Sequence, residues 1–104
     1  MITAEFFIKQ SELVGFVIKG HAGYAESGND IVCASVSSAV MLVANTITEV
    51  YNVNAEVKVL KDKIQLKLPV PDKNAVKMLE GLKLHLTALS EDYEGTIKIT
   101  TSEV

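Results

Sequence analysis

Gly20–Ser38 reads GHAGYAESGNDIVCASVSS, and the fold turns on it. Before it, apolar residues recur at every second position; after it, they recur at every third or fourth. It is the junction between a strand and a helix. The segment from Ala22 to Asn29, which includes Tyr24, carries Gly23, Gly28 and Asn29, residues that tolerate unusual backbone angles, and predicts a loop that can bend and move. Asp30 then stands before Ile31-Val32-Cys33-Ala34 as an N-cap stands before a helix. That start would put Cys33 in the first helical turn, where free N–H groups favour negative charge. His21 precedes the loop and Cys33 follows it.

Upstream, Ile2–Lys9 places Ile2, Ala4, Phe6 and Ile8 on one face and Thr3, Glu5, Phe7 and Lys9 on the other. This is a half-buried strand. Gln10-Ser11-Glu12 is a polar break, and Leu13–Lys19 is a second strand, so the two predict a hairpin. Gly20 ends that strand and delivers His21 at its tip. Downstream, Val36, Val40, Val43, Ile47 and Val50 define a helix from Ile31 to about Tyr51. Met41, Leu42 and Ala44 widen its apolar surface beyond one stripe, so it calls for cover on more than one side. Ala55–Leu60 and Lys63–Leu68 alternate about Lys61-Asp62 and predict a second hairpin. Pro69 and Pro71 end it, and Asp72 can cap a second helix over Lys73 to about Leu89. Gly81 inside that helix has no rationale in the sequence. Thr96–Thr101 is a last strand. The expectation is an α+β fold in one domain, residues 1–104, with a five-stranded mixed or antiparallel sheet and two helices in the order ββαββαβ.

Composition narrows the function. Hydrophobic residues make up 48% of the 104, which fits a folded chain. Thirteen acidic residues oppose ten basic ones, all lysine, for a net charge of −3. Without arginine, bidentate readout of phosphate or guanine is not available, which argues against direct nucleic-acid binding. One cysteine makes no internal disulfide. The alternating MITAEFFIKQ start differs from a signal peptide. Val36–Val50, interrupted by Ser37, Ser38, Asn45, Thr46 and Glu49, reads as too short and too polar to span a bilayer. These features predict a cytoplasmic protein with no membrane contact.

A lone cysteine in an apolar helix is more often a small core residue than a nucleophile. The joint placement of His21, a polar loop and Cys33 raises the functional reading. An ordinary thiol, with a pKa of about 8.5, is only a few per cent thiolate at pH 7. A helix end worth about 0.3–1 kcal/mol does not close that gap, so a thiol nucleophile needs a nearby base. His21 is the candidate. Asp30 reads either as the helix cap or as a group that orients His21. Ser37 lies one turn beyond Cys33 on the same helical face, and either bonds back to the helix or lines a substrate site. Ser35 and Ser38 point elsewhere. His85 has no partner signal. One Cys and two distant His lack zinc-site spacing, so neither metal nor other cofactor is indicated.

Gly20-His21-Ala22, Gly28, Asp30-Ile31-Val32-Cys33-Ala34 and Ser37 resemble the signature of the ribosomal-processing cysteine protease family, known as Prp or YsxB-like. The order of elements agrees along essentially the whole chain. The resemblance implies a small cytoplasmic endopeptidase, found in bacteria and forming homodimers. Such enzymes remove an N-terminal extension from large-subunit ribosomal protein number twenty-seven. It implies Cys33 as nucleophile and His21 as general base. It also implies Asp30 and Ser37 as supporting polar residues, and residues 22–29 as a segment that opens for the substrate peptide. Two other readings compete: a ribosome-associated binding protein without chemistry, and a thiol redox sensor, which an exposed reactive cysteine would also suit.

Overall fold

The computed structural model describes residues 1–20 and 27–104, the first four of the latter by backbone alone. The elements follow the expected order: β1 (Ile2–Lys9), β2 (Glu12–Gly20), α1 (Ser27–Asn45), β3 (Glu56–Leu60), β4 (Lys63–Lys67), α2 (Lys73–Asp92) and β5 (Ile97–Glu103). The strands form one sheet in the order β3-β4-β2-β1-β5. β1 and β5 run parallel and the other pairs antiparallel, so the sheet is mixed.

Register explains the core. Ala4 sits opposite Ile18, Phe6 opposite Phe16, Phe16 opposite Leu66 and Ile2 opposite Ile97, so these side chains share one face of the sheet. All of them are buried. The helices supply the facing layer: Val32, Val36, Val40, Val43, Ala44 and Ile47 beside Ala75, Leu79, Leu82 and Leu86. Phe6 and Phe16 meet edge to face at 6.3 Å between ring centres. The opposite sheet face is half-exposed and carries polar pairs, such as Ser102 donating to Glu5 Oε2 at 2.6 Å.

The β1–β2 turn is tighter than its sequence suggests. Lys9 pairs with Glu12, leaving only Gln10 and Ser11, whose φ angles are 52° and 68°. Two positive angles belong to the mirror-image turn that matches strand twist. Asp72 caps α2 as expected, its carboxylate accepting from the N–H groups of Asn74 and Ala75 at 3.0 Å. α2 runs on to Asp92, one turn past Leu89.

α1 departs from expectation at its start. It begins at Ser27, so the backbone at Gly28 and Asn29 is helical rather than looped. Asp30 lies inside the helix instead of capping it. Cys33 falls in the second turn, not the first. Ser27, Gly28 and Asn29 are weak helix formers, and the sequence therefore hid a turn that continues a well-packed helix. At the other end α1 runs into a π-helical turn, Thr46–Val50, where Tyr51 N–H donates to Thr46 O. The apolar run is also longer than Val36–Val50. Ile31–Val50 is 20 residues long, and its most apolar 18-residue stretch has a mean hydropathy of 1.8, enough by length and composition to cross a membrane. Its inner face is part of the core, but only 33% of that stretch is buried.

Candidate active site

β2 and α1 bring their ends to one side of the sheet, and the β3–β4 turn joins them there. Between them lies a cleft of about 330 Å³. One wall is α1, with Cys33, Ser37 and Met41 one turn apart along a face. The other is the tip of the second hairpin, with Val59, Leu60 and Asp62. Ile2, Ile18 and Ile64 line it too, and Lys19, Lys61 and Lys63 are at its margin.

Val59 pairs with Ile64 and Val57 with Leu66, so both valines belong to the helix side of the sheet. Among the described residues no helix covers them: every residue of β3 is exposed, Val59 at 64% and Leu60 at 59%. An apolar wall is thus open to solvent opposite the only cysteine. Covering one such side chain is worth about 1.5–3 kcal/mol, enough to hold an apolar group of a visiting chain.

Cys33 is half-buried and packs against the core. Ser37 is exposed and shares the cleft with it, as their spacing predicted. Ser35 and Ser38 line a different groove, between α1 and α2, with Ala39, Leu42, Val43, Leu82 and His85. His85 is exposed and remote in role from Cys33. His21, Ala22, Gly23 and Tyr24 lie outside the described residues, and Gly28, Asn29 and Asp30 are described by backbone alone. The apolar wall of β3 went unread in the sequence. Its signal was the alternation of Val57 and Val59 in a strand that no second helix could reach.

The helix start changes the electrostatic argument. Cys33 lies six residues beyond Ser27, about 9 Å along the axis at 1.5 Å per residue. The dipole effect fades within the first turn, and N–H groups in the second turn are already bonded along the helix. The helix start therefore neither activates this sulfur nor supplies it with oxyanion donors. A nucleophilic role for this thiol would need a neighbouring base.

Residues 1–98 match the model of a family described as cysteine protease Prp. The ribosomal processing cysteine protease Prp of Bacillus subtilis is 25% identical over 97 residues, covering 86% of this chain and 87% of its own length. SMU.848 from Streptococcus mutans superposes with a TM-score of 0.84 at 25% identity, over 100% of this chain and 96% of its own. Prp from Staphylococcus aureus, crystallised with a covalently linked product peptide, superposes with a TM-score of 0.88 at 21% identity. That match covers 98% of this chain and all of the other.

Proposed function

The chain belongs to the cysteine protease Prp family, and from that premise we propose that it removes the N-terminal extension of large-subunit ribosomal protein number twenty-seven, with Cys33 as nucleophile and His21 as general base. The observation that carries this reading is the cleft itself, which sets the only cysteine across from an uncovered apolar wall on Val59 and Leu60. An extended peptide would lie between the two walls, an apolar side chain against β3 and its scissile carbonyl over Cys33.

The sulfur attacks the carbonyl carbon as His21 takes the thiol proton. The C–N bond breaks, and the imidazolium returns that proton to the leaving amine. Water, deprotonated by His21, then hydrolyses the thioester and frees the carboxylate end of the extension. Ser37, exposed one turn beyond Cys33, lines the cleft on the substrate's path. Asp30, no longer a cap, keeps the role of orienting His21.

The same reading includes a homodimer working in the cytoplasm. No charged residue occurs from Ile31 to Thr48, and Ile31, Met41 and Leu42 are exposed along α1. A helix this apolar on its outer side gains from a second copy of itself. Incubating the purified protein with the ribosomal precursor and weighing the products tests the function: one N-terminal fragment is expected, and none would exclude this substrate.

A further inference from the structure

β3 is an edge strand, since the sheet runs β3-β4-β2-β1-β5. The direction of its backbone groups follows from the bonds of its neighbour. Leu68 N–H donates to Val14 O at 2.8 Å, and Gly20 N–H to Asp62 O at 3.0 Å. In an antiparallel pair, residues that exchange hydrogen bonds alternate with residues that do not. Between those two bonds, Ile64 and Leu66 therefore bond to Ile18 and Phe16 of β2. Lys63, Gln65 and Lys67 turn their N–H and C=O groups the other way, to Leu60, Lys58 and Glu56. Val57 and Val59 are left with theirs pointing off the sheet, and among the described residues no hydrogen bond uses them.

Such an edge is open to another chain, and proteins ordinarily blunt it with a bulge, a proline or a covering element. Among the described residues β3 has none of these. It pairs with β4 in unbroken register, contains no proline, and is exposed along its whole length. The side chains of Val57 and Val59 stand on the helix side, opposite Leu66 and Ile64. From Glu56 to Leu60 the strand runs towards the turn that lines the cleft, so its free edge leads to the pocket that holds Cys33.

We propose that β3 is the docking strand for the substrate, which adds to its edge as a further strand bonded to the backbone of Val57 and Val59. This rests on the proteolytic function assigned above and specifies how the peptide is held. Backbone pairing supplies affinity, and alternate side chains of the added strand fall beside the two valines. The substrate class is then a segment that is extended on one side of the scissile bond and apolar at every second position. Proline is excluded where the segment donates to β3.

The test uses the Cys33→Ala protein and a peptide spanning the cleavage site of the ribosomal precursor, with Kd read by fluorescence anisotropy. A series of these peptides carries one backbone N-methyl group, moved a residue at a time. Each methyl group removes one donor. Kd should rise on the order of tenfold, the scale of one lost hydrogen bond, at alternate residues of one stretch and stay near the parent value between them. On the protein side, Val59→Pro removes the outward N–H and leaves the ladder to β4 intact, a change that edge strands tolerate. It should weaken the unmethylated peptide by a similar factor. Val59→Thr, which keeps the N–H and the β-branched shape, should bind nearly as the parent does.

A methylation profile without a two-residue period would overturn the proposal, and so would unchanged binding by folded Val59→Pro. Loss of self-association in Val59→Pro with peptide binding intact would give the edge to a second copy of the chain instead. If Val59→Pro does not fold, the peptide series decides alone. Failure of the parent protein to cleave the unmethylated precursor would strike the function on which the proposal rests, a result separate from the methylation profile.

Discussion

Cys33 is a half-buried thiol set beyond the first turn of α1, so the proposed nucleophilic role rests on a base from elsewhere in the chain. Replacing it with Ala should abolish cleavage, and thermal denaturation should stay within about 1 kcal/mol of the parent, because one small side chain replaces another. Leu60, 59% exposed on the opposite wall, should act on binding. Leu60→Asp is expected to raise KM about tenfold, the scale of one lost apolar contact, and to leave kcat alone in steady-state assays. Equal effects on kcat and KM would place Leu60 outside the peptide's path. Cys33 stood out in the sequence as the single cysteine, and its sharing the cleft with Ser37 follows from helical spacing. The wall that Cys33 faces was not legible. Exposure of Val59 is set by how far α1 and α2 reach over the sheet, and the alternation of Val57 and Val59 shows which face they take but not that reach.

At the scale of elements, local signals and tertiary packing disagree in instructive places. Asp72 was readable as a cap because Pro69 and Pro71 end the preceding strand just before it. Asp72→Ala should destabilise by about 1 kcal/mol in urea unfolding. Gly81 has no rationale in sequence or structure: a Cβ there would meet nothing within 4 Å. Gly81→Ala should therefore stabilise by up to about 1 kcal/mol. Loss of stability in that variant would reveal a contact outside the described residues or in an assembly. The start of α1 misled for a physical reason. A cap signal at Asp30 competes with helix propagation, and propagation adds residues cheaply once a turn exists. Weak formers at Ser27–Asn29 can therefore be helical without any sequence sign of it. The tight β1–β2 turn was hidden likewise, because Gln10 and Ser11 are uncommon where both angles are positive.

For the whole molecule, the fold was legible because its periodicities are clean: five alternating segments and two helical ones leave one economical layered arrangement. What the sequence implied only indirectly is the exposure of one side of α1, with Leu42 exposed at 65% in a stretch with no charge from Ile31 to Thr48. Sedimentation velocity should show a dimer, and Leu42→Lys should shift it towards monomer. A monomeric parent protein at micromolar concentration would remove the dimer from the account. The reaction is tested by mass spectrometry of the ribosomal precursor after incubation with the parent protein and with Cys33→Ala. Release of one N-terminal fragment by the parent alone is the predicted result. An intact precursor with the parent protein, or the same fragment from Cys33→Ala, would contradict it.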